Sequence, residues 1–270
     1  MLALNRILHP TDYTLASDIA LAHAVKIAFS SGSTIDLLHV AEHEKDFTVS
    51  QFPSINEILT RWKLHHIDSE TPAESGFSVN KVVTQQITPV KGILHFLDRH
   101  PTDLIILATH GQAAWNHRSI AEPVARKSHT MTLFIRHGDD GFISFNDGGT
   151  NIKNIVLPID SEPAPQLAIE AALLLADTLD LKHVNFELIH VGKENAIPYV
   201  TLPERLGCKW THNVRHGSVV DEIAKFSNDI DADLAILTTR GHHGFLDALR
   251  GSITERVLHT INCPVLSVPA

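Results

Sequence analysis

The sequence predicts two tandem doubly wound α/β domains, each built on a five-stranded parallel sheet. Two observations carry this: the chain repeats itself, and each repeat alternates short apolar runs with segments of helical spacing. RILHPTD (6–12) resembles NIVLPID (154–160), and LLHV (37–40) resembles LIHV (188–191). DLIILATHG (103–111) matches DLAILTTRG (233–241), and SIAEPVA (119–125) matches SITERVL (252–258). The matches keep their order, which predicts domains at 1–138 and 152–270 joined by a linker at 139–151. The join lies in HGDDGFISFNDGGTN, whose Gly, Asp and Asn content is that of a loop.

The elements follow in order. RILHPTD is an apolar run ending in polar residues, a strand. SDIALAHAVKIAFSSG has apolar positions at helical spacing and stops at Gly32, a C-cap. TIDLLHV is the second strand. The offset between repeats is 151 at LLHV but 130 at DLIILATHG, so the first repeat carries an insertion between them. Part of it, Ser54 to His65, has helical spacing through Ile55, Ile58, Leu59 and Trp62 and is expected to be a helical excursion without chemistry. VVTQQI is a strand, PVKGILHFLDRHP a helix, and DLIILAT a strand buried on both faces because it is apolar without alternation. SIAEPVARKSH is a helix and TLFIRH the last strand; the same reading transfers to the second repeat, which ends in PVLSVP.

Composition narrows the function classes. The chain has 270 residues, 43% hydrophobic and 20% charged, as a globular protein with a substantial core does. A net charge of −9 argues against a general nucleic-acid or anionic-membrane surface, though not against one local anion site. Two cysteines, Cys208 and Cys263, are too few for a disulfide framework. MLALNRILHPTD has no long apolar run before Pro10, and no stretch has the length of a membrane span, so the expected location is the cytoplasm.

One stretch carries candidate chemistry: TTRGHHGFLDALRGSITERVLHT (238–260). In doubly wound sheets ligands bind beyond the C-terminal strand ends, where the strand order reverses. The loops concerned follow the first and fourth strands, and in the second domain they contain Asp160 and residues 241–252. Gly241, Gly244 and Gly251 allow close backbone approach, and the helix start at Ser252 offers N–H groups to an anion. This suits a phosphate. The spacing is neither that of the P-loop, since no Gly-Lys-Ser/Thr is present, nor that of the dinucleotide fingerprint, since it follows the fourth strand.

These ordered motifs resemble the universal stress protein family, in a tandem arrangement that covers nearly the whole chain. The resemblance implies strand order 3-2-1-4-5 in each domain, pairing of the two through their last strands, and in many members ATP at the glycine motif. Carried over by position, Asp160 sits near the adenine and ribose, Pro158 beside it belongs to the nucleotide-binding set, and Val191 meets the adenine through its backbone. Gly241, His243, Gly244, Gly251 and Ser252 hold ribose and phosphates. The sequence departs from the family in one respect: ATP-binding members have nine residues between the second and third glycines, whereas FLDALR supplies six. The first domain departs further. It reads THGQAAWNHRSIAEP, with Ala114 and Arg118 where the second and third glycines would stand, so its cradle is expected to be lost.

Blander explanations compete. Ser119-x-x-Glu122 and Ser252-x-x-Glu255 are both capping boxes, so Ser252 is accounted for by its helix alone. Asp12 and Asp160 suit caps or turns after their strands. The adjacent pairs His242-His243 and His65-His66 lack metal-ligand spacing and are expected to be solvated or hydrogen-bonded. Cys263 reads as a small buried hydrophobe, and Cys208, in a short loop region, is uninformative. No nucleophile–base pair has local support, so no dedicated catalytic site is expected, at most slow ATP hydrolysis. The expectation is a stress-response regulatory protein binding ATP, with or without Mg, in the second domain, with the two domains forming an intrachain pseudo-dimer and an unknown protein partner reading the loops. A homodimer of the whole chain is left open. The alternatives are a nucleotide-independent interaction module and a histidine-based metal protein.

Overall fold

A computed structural model describes residues 2–41, 51–64, 76–109, 120–239 and 253–270. The first half contributes strands β1 (Arg6–Pro10), β2 (Thr34–Ala41), β3 (Ser78–Gln85), β4 (Leu104–Thr109) and β5 (Met131–Arg136). The second contributes β6 (Asn154–Pro158), β7 (Val184–Val191), β8 (Cys208–Arg215), β9 (Leu234–Thr239) and β10 (Val265–Pro269). They form one ten-stranded sheet in the order β3-β2-β1-β4-β5-β10-β9-β6-β7-β8. Each half is parallel within itself and has the order 3-2-1-4-5. The last strands meet antiparallel, with Val265 opposite Phe134 and Leu266 opposite Leu133. The predicted fold class and seam are both present.

The seam has side-chain ties as well. Arg136, at the end of β5, donates from Nη1 to Ile261 O at 3.1 Å and to Asn262 Oδ1 at 2.7 Å. His259 of α7 (Ile253–Thr260) lies 3.0 Å from Glu122 of α4 (Ala121–Ser128). Strands running apolar through their length need helices on both faces. One face carries α1 (Leu15–Ser31), α2 (Ile55–Arg61) and α5 (Gln166–Thr178); the other carries α3 (Pro89–Leu97), α4, α6 (Val219–Asp229) and α7. The buried cluster on each face draws residues from both halves.

The caps follow the sequence in part. Thr14 caps α1 through Ser17 N, and Gly32 closes it in the left-handed region at φ 66°. Thr88 caps α3 by accepting from Lys91 N, with Pro89 at the first helical position. The caps assigned to Ser119 and Ser252 lie outside the described residues.

Three sequence expectations are refined by packing. The excursion is a helix, α2, capped by Ser54, and its Ile55, Ile58 and Leu59 are buried. Its neighbour Trp62 is buried too and donates from Nε1 to Phe145 O at 3.1 Å, so the insertion lies on the segment joining the halves. That segment is not a free linker. Phe142 and Ile143 are buried, and their N–H groups donate to His23 Nε2 of α1 at 3.0 and 3.1 Å. Gly141 makes the approach possible: it sits at φ 67°, and a Cβ there would collide with the His23 ring. Thus α1 is sandwiched between the sheet and the connecting segment. Lastly, Cys208 opens β8 rather than lying in a loop, and Arg205 Nη1 points at its sulfur from 3.0 Å.

Candidate functional site at the strand ends of the second half

The order reverses beside β6, which is hydrogen-bonded to β7 on one side and β9 on the other. The C-terminal ends of these three strands therefore stand side by side. Pro158 ends β6 and is half-buried. Ile159 is buried, with its N–H donating to Ile189 O at 2.9 Å, which keeps the chain on the β7 ladder for one more residue. Asp160 then emerges exposed, its Oδ1 accepting from Ser161 N at 2.7 Å. Val191 ends β7, half-buried, and Gly192 N–H donates to Arg215 O at 2.9 Å.

Pro158, Asp160 and Val191 are thus brought together at neighbouring strand ends, as their positions in the repeat predict. Gly241, His243, Gly244, Gly251 and Ser252 lie outside the described residues. What is described is where their segment leaves and re-enters: after Thr239 of β9, next to β6, and before α7. Thr239 Oγ1 is near Ser267 Oγ at 3.3 Å, tying the end of β9 to β10.

The equivalent place in the first half is built differently. Asp12 Oδ1 accepts from Thr14 N at 3.1 Å and from Thr14 Oγ1 at 2.6 Å, a local turn that holds the carboxylate against the start of α1. Tyr13, in the left-handed region at φ 62°, lays its ring on His39 with centroids 4.4 Å apart. Phe52 meets the same ring edge-on at 5.6 Å. The second half has Ser161 at the position of Tyr13. The end of β1 is therefore covered by an aromatic side chain where the end of β6 carries a serine.

Sequence reasoning passed over four histidines that hydrogen-bond within the fold, two of them at these strand ends. His39 and His190 are equivalent in the repeat, and each donates from Nδ1 to the carbonyl just past the first strand of its half: Thr11 O at 2.9 Å and Ile159 O at 3.2 Å. The signal was available, since both stand third in the matched LLHV and LIHV. His9 is fully buried and held neutral, its pKa lowered to about 4 by desolvation, partly offset by its bond to Ile106 O. His23 behaves alike: burial lowers it to about 4 against the bond to Ile19 O. Cys263 is buried as expected, and desolvation pushes its thiol up to about 12. Among the described residues, no three His, Cys, Asp or Glu converge as a metal site would require. Among them also, no helix is long and apolar enough to cross a membrane.

A pair of 3-2-1-4-5 sheets fused through their last strands defines a tandem doubly wound α/β protein. The chain belongs to the universal stress protein family, whose sequence model matches residues 3–136 and 193–269. It is 25% identical over 172 residues to a universal stress protein of Methanocaldococcus jannaschii, covering 54% of this chain and 92% of that one. It is 30% identical over 138 residues to universal stress protein A homolog 1 of Coxiella burnetii, covering 43% of this chain and 95% of that one. In fold it resembles the crystal structure of a universal stress protein from Archaeoglobus fulgidus, at a TM-score of 0.65 and 15% identity over 98% of both chains. A Pseudomonas aeruginosa protein of unknown function is similar as well, at 0.68 and 14% identity, over 99% of this chain and 93% of that one.

Proposed function

We propose that the protein is a regulatory member of its family that binds ATP or a related nucleotide in its second half alone. In this reading the chain divides at 1–138, 139–151 and 152–270, with the first domain a degenerate partner that completes the seam. Asp160 lies near the adenine and ribose, Val191 meets the adenine, Pro158 joins them in binding the nucleotide, and Gly241, His243, Gly244, Gly251 and Ser252 hold the ribose and phosphates. The observation that carries the reading is the contrast at the two switch points. Tyr13 stacks on His39 where the second half has only Ser161. An aromatic ring already seated against a strand end leaves no room for a second one, the adenine, whereas a serine does. In this reading the role is regulatory: binding changes loop conformation, and a protein partner detects the change, in the cytoplasm.

The test is to denature purified protein, identify released small molecules by mass spectrometry, and titrate Mg-ATP by calorimetry. One nucleotide per chain is expected. Gly244→Gln, which places a side chain in the cradle, should abolish binding while circular dichroism and thermal midpoint stay put. Two nucleotides per chain would overturn the assignment to one half. The six residues between Gly244 and Gly251 favour a second reading, an interaction module without nucleotide, and the absence of both bound nucleotide and binding heat would select it.

A further inference from the structure

The first half has an open groove of about 590 Å³ between α3 and the edge strand β3, away from the strand ends just described. This volume is in the range of small-molecule sites. Its charged lining consists of Arg6, Asp36, Lys81, His95, Arg99 and His100. Three fixed cations against one carboxylate leave two positive charges in a chain whose net charge is −9.

The groove is organised from beneath. Asp36 is 2% exposed, a carboxylate set into the apolar run of β2. Its Oδ1 accepts from Asn80 Nδ2 of β3 at 2.8 Å, and its Oδ2 lies 3.3 Å from Arg6 Nε. Among the described residues that Oδ2 receives no aligned hydrogen bond, so the Arg6 contact is an ion pair rather than a directed bond. Arg6 also reaches His100, with Nη1 3.5 Å from Nδ1, and the His100 ring lies against Phe96, tilted by 30° with centroids 4.2 Å apart. A buried acid thus fixes one guanidinium, which stands next to an imidazole packed against Phe96, with the exposed Arg99 on the rim.

The repeat supplies an internal control. The second half keeps what the fold needs at these positions. Glu187 takes the place of Asp36 and pairs with Asn213 at 2.9 Å, and Phe226 takes the place of Phe96. Asp103 and Asp233 each accept from two backbone N–H groups ahead of the first strand of their half. Three members of the basic set are not kept: Arg6 is replaced by Asn154, Arg99 by Asp229 and His100 by Ile230, whereas His95 is replaced by another basic residue, Lys225. The architecture therefore does not require Arg6, Arg99 and His100, and these three form a set peculiar to the first half.

We propose that this groove binds a small organic dianion, a phosphate monoester or a dicarboxylate, with Arg99 and His100 contacting the anionic group and Arg6, fixed by Asp36, completing the field. Guanidinium and carboxylate or phosphate are matched in geometry as well as charge. The proposal does not depend on nucleotide binding in the second half.

Glucose 6-phosphate and succinate, titrated separately into the full chain by calorimetry, test it and distinguish the two anion chemistries. Saturable binding of at least one is expected, about tenfold weaker in Arg99→Ala and weaker again in Arg99→Ala/His100→Ala. Arg99 is exposed, so the fold should survive, which an unchanged thermal midpoint verifies. Binding should also persist in Gly244→Gln. No saturable binding of either compound would overturn the proposal. So would binding that Arg99→Ala leaves intact, or that Gly244→Gln removes.

Discussion

His23 shows how much one side chain can determine. It donates from Nδ1 to Ile19 O at 2.8 Å and accepts at Nε2 from two backbone N–H groups of the connecting segment. Only the neutral ring can do both, because a protonated ring would turn a donor toward two donors. Burial lowers its pKa from 6.5 to about 4. Above pH 6.5 neither folded nor unfolded chain holds the proton and the full stability is present. As pH falls from 6.5 toward 4 the unfolded chain takes up the proton and the folded chain does not, so stability declines, by about 3 kcal/mol for this group. His9 has the same sign and window. Urea unfolding at a series of pH values should therefore show midpoints dropping between pH 6.5 and 4. In His23→Ala the slope should lose about one proton, and stability at pH 7 should fall by about 3 kcal/mol, because two buried N–H groups lose their acceptor. An unchanged slope would mean that His23 is protonated in the fold.

At the scale of elements, the insertion of the first half has a structural task. Helix α2 and Trp62 cover the connecting segment, and that segment covers α1. Trp62→Ala should cost about 3 kcal/mol and speed hydrogen exchange at Ser144 and Gly148, whose N–H groups form the turn beneath the ring. Trp62→Phe, which loses mainly the bond to Phe145 O, should cost nearer 1 kcal/mol. Exchange at those amides equal to wild type would show that the cover is not coupled to the turn.

This arrangement also marks the boundary of what the sequence discloses. Strands, helices and their order were legible, because apolar runs, helical spacing and an internal repeat are local signals. Phe142 and Ile143 were not, since they lie among Gly, Asp and Asn that read as a loop, and their burial depends on a histidine about 120 positions earlier in the chain. For the candidate site, repeat alignment located Pro158, Asp160 and Val191 at adjacent strand ends. It did not reveal that Tyr13 fills the matching place, because a ring stacking on His39 is a tertiary contact that no spacing rule encodes.

Taken whole, the molecule has one sheet and two apolar layers, each shared between the halves. Neither half can lose its structure without exposing apolar surface of the other. Calorimetry should accordingly give a single unfolding transition with matching van't Hoff and calorimetric enthalpies. Two resolved transitions would show that the seam is weaker than the layers on either side. The architecture also separates two places of different chemistry: loops at the switch point of the second half, and a cationic groove along the outer edge of the first.

The antiparallel meeting of β5 and β10 within a single chain has a further consequence, one of mass action. Two separate chains joined by such a seam would part on dilution, and both copies would carry every substitution. A covalent tether holds the strands at an effective concentration on the order of millimolar whatever the abundance of the protein. The pairing is therefore indifferent to expression level, and each half is free to accumulate its own changes. Tyr13 opposite Ser161, and Arg99 opposite Asp229, are differences that only such a fused arrangement can hold in a fixed one-to-one ratio.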